Sequence, residues 1–174
     1  MKFQSGHSGS KSFIGGQPSH IPTFKPWSSR DDKYFGFTLQ IFIGQFDEIE
    51  TDIEYIQLYQ SIEVGDDPTP EIVLIPKNAE LNTGKSILEN PNVNEWDISF
   101  EIRDDPDLMP ELTMSDNLAS LFDSKILGID PWLNDESNLK FIGQISENPS
   151  DLNFGGVMCS LYLENRNNFL IRMN

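Results

Sequence analysis

The sequence predicts an α+β protein, mostly antiparallel sheet, internally duplicated and with few short helices. Three observations carry that expectation. Runs that alternate apolar and polar residues recur along the chain, and clusters of Gly, Pro, Asn and Asp bound them as turns. One long segment, residues 115–127, has the i, i+3, i+4 spacing of an amphipathic helix. The pentapeptide Phe42-Ile43-Gly44-Gln45-Phe46 returns almost unchanged as Phe141-Ile142-Gly143-Gln144-Ile145.

Residues 1–11, rich in Ser and Gly, read as a flexible arm. A single domain is expected over 12–174, with related halves at 12–76 and 124–174 joined by an acidic middle segment. Gly15-Gly16 and Pro18 mark a tight turn, and Pro22 and Pro26 keep the next stretch extended. Residues 34–46 form a long β-type run with Phe35, Phe37, Leu39 and Ile41 in alternation. Over 54–64, Tyr55, Gln57 and Tyr59 lie on one side and Ile56 and Leu58 on the other. Residues 71–76 are a short apolar strand closed by Pro76, and 85–92 could hold one helical turn. In 96–103, Trp96, Ile98, Phe100 and Ile102 oppose Asp97, Ser99, Glu101 and Arg103, which predicts a sheet with one wet face. The helix at 115–127 can be capped by Ser115 or Asp116, presents Leu118, Leu121 and Phe122, and stops at Gly128. A strand at 139–145 and a hairpin of 157–164 with 169–173 complete the chain.

The repeat extends beyond the pentapeptides. Ser-x-Ile-x-Gly followed by Pro precedes each of them, at 12–18 and at 124–131, and two further strands follow each. The pentapeptides are therefore expected as strands at matching places in two superimposable halves. Glycine in mid-strand marks a bulge or a close backbone approach, so Gly44 and Gly143 are where the halves should meet. Gln45 and Gln144 would be part-buried amides bonding to the opposite half, or would line a ligand cleft.

These elements, with Pro131-Trp132-Leu133 and the FGGVMCSLYL run at 154–163, resemble the YwqG-like family of bacterial proteins. The resemblance covers residues 12–46 and 124–163, and departs from the pattern where Ile126-Leu127-Gly128 stands in place of Ile-Gly-Gly. It implies a mixed α/β fold with a duplicated antiparallel sheet, and a family whose molecular function is unsettled. Some relatives stand beside secreted antibacterial toxins, so the resemblance permits an immunity role.

Charge is the most informative bulk property. The chain carries 28 acidic and 12 basic residues, a net charge of −16. Residues 47–123 alone hold 20 acidic and 3 basic residues, a net of −17. Such a surplus raises a field that attracts cations and basic proteins, and it disfavours nucleic acid. Solubility is the bland alternative. The candidate partner-binding residues are Asp47, Glu48, Glu50, Asp52 and Glu54, with Asp66, Asp67, Asp104, Asp105 and Asp107 in turns.

No catalytic kit accompanies them. His7 and His20 have no carboxylate or cysteine at ligand spacing, and Cys159 reads as a buried small hydrophobe. No nucleophile elbow, phosphate loop or dinucleotide fingerprint occurs. The acidic pairs Asp31-Asp32, Asp66-Asp67 and Asp104-Asp105 could serve acid–base or Ca²⁺ chemistry, but they lack the spacing of a calcium loop and read as solvated turns. No run approaches the ~18 apolar residues of a membrane span or the ~7–15 of a secretory signal. The expectation is a non-enzymatic cytoplasmic binding protein without metal, cofactor or membrane partner. Its leading form is an immunity protein that masks the active or substrate-binding surface of a basic toxin, a nuclease as first guess. The alternative is a housekeeping module that binds a small ligand or peptide in a cleft between the halves.

Overall fold

The computed structural model describes residues 1–5, 9–22, 35–63, 70–81, 89–100, 123–127, 130, 138–147, 152–154 and 158–173. Within them the chain forms two antiparallel sheets, and no described residue is helical. In the first sheet, β2 (Phe13–Ile14), β3 (Phe35–Phe42), β4 (Ile53–Ser61) and β5 (Glu71–Pro76) run as neighbours in chain order. The strand β6 (Trp96–Ser99) pairs with the free side of β2, and β1 (Lys2–Ser5) pairs with β6. The second sheet is a four-stranded meander of β7 (Lys125–Ile126), β8 (Lys140–Ser146), β9 (Met158–Asn165) and β10 (Asn168–Met173). The β-branched and aromatic alternation of the sequence accounts for the long strands, where such side chains pack on a pleated surface.

Three expectations change. The arm expected over 1–11 contains β1, whose partner Trp96–Ser99 is too far along the chain for local patterning to reveal. The helix expected over 115–127 gives way at its end to β7, because Lys125 and Ile126 pair with Gln144 and Gly143 and the ladder overrides the local apolar spacing. Residues 115–122, and 85–88 of the other expected helical turn, lie outside the described residues. The wet face expected of 96–103 is not wet at its start, since Asp97 is buried, although Ser99 is exposed and Ile98 is buried as expected.

The reason is that the first sheet is covered on both sides. On one face, Leu39, Ile41, Ile56 and Leu58 join Ile142, Ile145, Cys159, Leu161 and Phe169 of the second sheet in one core, closed by Leu152 and Phe154. Those side chains fill the space between the sheets, and Gln60 Nε2 donates across it to the Asn153 carbonyl at 2.6 Å. On the other face, Phe13, Phe37, Tyr55, Tyr59, Val73 and Ile75 form a second buried cluster.

The two meanders repeat each other residue for residue. Gln40 opposes Phe13 and Gln57, and Gln144 opposes Lys125 and Ser160. Register shifts fall between Phe37 and Leu39 in one meander and between Phe141 and Gly143 in the other, a bulge at the same place. Ser12 Oγ accepts from the Phe42 amide at 2.9 Å, as Ser124 Oγ accepts from the Ser146 amide at 2.8 Å. The Phe37–Tyr59 and Phe141–Tyr162 ring pairs are both edge-on, at 5.6 and 5.7 Å. Gly15 (φ 72°) donates its amide to Thr38, and Leu127 (φ 61°) donates to Ile142 in the same way. A left-handed backbone favours glycine, so the second meander holds a leucine in the conformation for which the first keeps a glycine.

This register corrects the pentapeptide match. Phe42 ends β3, and Ile43 to Phe46 turn out of the sheet, whereas 141–145 lies wholly in β8. The structural counterpart of Phe141-Ile142-Gly143-Gln144-Ile145 is Phe37-Thr38-Leu39-Gln40-Ile41. Gly44 is therefore a turn residue. Gln45 is exposed and donates to its own Phe42 carbonyl at 3.0 Å. Gln144 and its true counterpart Gln40 are fully buried, and they donate to the Asp123 and Lys11 carbonyls, just ahead of their own halves rather than in the opposite one. Gly143 likewise approaches β7 of its own half: a Cβ there would lie 2.4 Å from the Lys125 carbonyl oxygen.

Candidate functional site

The chain leaves β3 at Phe42 and re-enters the sheet at Ile53, and the acidic candidates 47–52 occupy that connection. Two turn bonds shape it, from the Phe46 amide to the Ile43 carbonyl and from the Ile49 amide to the Phe46 carbonyl, both 3.0 Å. Ile49 and Thr51 point inward and are buried, which turns Asp47, Glu48, Glu50 and Asp52 outward into solvent. Glu54, on β4, is half-exposed. A groove of about 310 Å³ runs along the loop, lined by Phe46, Asp47, Ile49, Glu50, Lys77 and Arg166 among others. The loop and the start of β4 therefore gather five of the predicted residues at one end of the first sheet. Asp66, Asp67, Asp104, Asp105 and Asp107 lie outside the described residues.

The five are not equivalent. Asp52 Oδ1 is paired with Arg166 Nη2 at 2.9 Å, and its Oδ2 accepts from Asn167 Nδ2 at 3.3 Å. Glu54 lies near His20 and Tyr55, where its carboxylate opposes the desolvation of the imidazole. Asp47, Glu48 and Glu50 present their carboxylates to solvent.

A second polar constellation escapes the charge reading. On the outer face of the first sheet, Gln40, Gln57 and Tyr59 are fully buried beneath the Ser19-His20 segment. Tyr59 OH donates to Gln57 Oε1 at 2.9 Å; Gln57 Nε2 donates to Gln40 Oε1 at 2.9 Å and to the His20 carbonyl at 3.0 Å. Ser19 donates to Gln40 Oε1 from its amide (3.2 Å) and its hydroxyl (2.8 Å). The alternation in the sequence puts Gln57 between Tyr55 and Tyr59 but carries no sign of its burial.

Ser19 Oγ also lies 2.7 Å from His20 Nδ1, a contact that in another setting would suggest an activated nucleophile. Here the ring is only 4% exposed, stacked obliquely on Tyr55 with centroids 5.1 Å apart. Burial lowers the His20 pKa against the opposing pull of the Glu54 carboxylate and a bond to the Ala79 carbonyl. The pair fastens a loop to a sheet. The folded state thus binds fewer protons at His20 than the unfolded chain once the pH falls below ~6.5, the ordinary value for histidine. Its contribution to stability is intact above that pH and declines as the pH drops towards the lowered folded value. Urea unfolding between pH 7 and pH 5 should show a smaller loss for His20→Asn than for the parent chain; equal losses would remove His20 as the cause.

Cys159 is fully buried, and desolvation pushes its thiol up to about 12, so it is inert as a nucleophile at neutral pH. Among the described residues, no group of His, Cys, Asp or Glu is arranged to hold a metal ion, and no helix is long and apolar enough to cross a membrane. No protein-family model, curated protein or solved structure matches the chain.

Proposed function

We propose that the chain is a non-enzymatic binding protein that captures a basic protein partner through the acidic loop between β3 and β4. The observation that carries this reading is the joint outward presentation of Asp47, Glu48 and Glu50, beside the half-buried ring of Phe46. Clustered surface charge of one sign accelerates encounter with the opposite sign, and an adjacent aromatic ring supplies an anchor once contact is made. Within this reading, the partner class that fits is a toxin with a basic substrate groove, a nuclease first, since carboxylates can stand in for phosphates. The family resemblance leaves room for that immunity-type role.

The test separates a local docking surface from diffuse charge. Poly-L-lysine serves as the basic probe in stopped-flow association, at low and at physiological salt. Asp47→Asn, Glu48→Gln and Glu50→Gln together should slow association about three- to tenfold at low salt and flatten its salt dependence. A control that neutralises the exposed Glu63, Glu71 and Glu80 changes the net charge equally and should have a much smaller effect. Equal slowing by both triples would leave only the solubility reading.

A further inference from the structure

The acidic loop is held in place by the other sheet. Asn167, at the tip of the β9–β10 hairpin, accepts the Asp52 amide on its Oδ1 at 3.1 Å and donates Nδ2 to Asp52 Oδ2. Its neighbour Arg166 takes the other carboxylate oxygen. Asp52 is thereby grasped by its main chain and both side-chain oxygens, from residues more than a hundred positions away. Two more ties act on the same loop. Lys140 Nζ donates to the Glu48 carbonyl at 2.7 Å, and the Lys77 amide donates to the Asp52 carbonyl at 2.9 Å. The grips fall at Glu48 and Asp52, on either side of Glu50.

We infer that Asn167 and Arg166 are positioning residues for the acidic loop, and that Asp52 belongs to this clamp rather than to the surface offered to a partner. The clamp spans the two sheets, so it also ties the orientation of the loop to the second half of the chain. The assignment to partner capture rests on the reading proposed above; the clamp itself does not. Every contact in it is exposed, and exposed ion pairs and hydrogen bonds add little to global stability. What they restrict is the local freedom of the loop, which opens far more easily than the fold as a whole.

Asn167→Ala tests this at constant net charge. The Asp52 amide loses its acceptor, and its hydrogen exchange should quicken about five- to tenfold, the scale of one net hydrogen bond, while the global unfolding midpoint stays put. Asn167→Ser, which restores an acceptor oxygen, should recover part of the protection. Unchanged exchange at Asp52 in the alanine variant would overturn the clamp. Binding to poly-L-lysine gives the second readout: association should match the parent chain, because charge is unchanged, whereas dissociation should be several-fold faster. Equal dissociation would overturn the positioning role, whatever the exchange result. A parent chain that fails to retain poly-L-lysine at low salt would instead refute the capture reading, and the exchange data would then decide the clamp alone.

Discussion

Gly143→Ala is expected to destabilise the fold by about 3 kcal/mol or more, enough to lower a urea midpoint severely or abolish folding. The added Cβ would sit 2.4 Å from the Lys125 carbonyl oxygen, 2.9 Å from Ile126 Cδ1 and 3.1 Å from Ile126 Cα. Two of these atoms are backbone, so no rotamer change relieves the overlap. The strand pair itself must part, and that pair is the Lys125–Gln144 and Ile126–Gly143 ladder. The equivalent position in the first meander is Leu39, fully buried in the core, so a side chain is compatible with the strand in general and is excluded here by the closeness of β7. Chemical denaturation of the alanine variant provides the check, and a loss below about 1 kcal/mol would show that the two strands can separate cheaply.

Gln57→Leu should cost about 2–5 kcal/mol although leucine is apolar and of similar bulk. The substitution takes the acceptor from Tyr59 OH and the donor from both Gln40 Oε1 and the His20 carbonyl, in a site with no access to water. Gln40 Oε1 retains its bonds from Ser19, so the heaviest loss falls on the Tyr59 hydroxyl and the His20 carbonyl. A buried polar group stripped of its partner bears its full desolvation penalty, which is why the change is worse than removing both partners together. Gln57→Leu combined with Tyr59→Phe should therefore recover part of the loss in thermal or urea unfolding. Strictly additive losses would indicate that the hydroxyl finds another partner.

Much of the sheet was legible because its signal is local. Local alternation predicts a strand at 71–76, where β5 forms, and a closing hairpin of 157–164 with 169–173, within a residue of β9 and β10. The alternation of Tyr55, Gln57 and Tyr59 against Ile56 and Leu58 describes β4 as it stands, with Tyr55 and Tyr59 in one buried cluster and Ile56 and Leu58 in the other. What local patterning could not supply was partnership. A strand as short as Phe13–Ile14, or as polar as Lys2–Ser5, exists only because distant residues accept its ladder bonds. The repeat was visible, but its frame was not. Identity of letters favoured Phe42 to Phe46, whereas the bulge, the serine–amide bonds and the buried glutamines select Phe37 to Ile41. At the acidic loop, charge in the sequence located Asp47, Glu48 and Glu50, yet nothing in it distinguished them from Asp52, whose partners Arg166 and Asn167 come from the other sheet.

The core between the sheets constrains how such a chain can be cut. A fragment ending after β5 would carry Leu39, Ile41, Ile56 and Leu58 on a face whose cover, including Ile142, Leu161 and Phe169, had been left on the other piece. Exposing a face of that kind to water drives self-association, and the nearest substitute for the missing sheet is the same face of another fragment. Separate halves should therefore meet in mixed or like pairs rather than persist as monomers. Their recombination would be governed by concentration, whereas the intact polypeptide supplies both surfaces at a fixed local one.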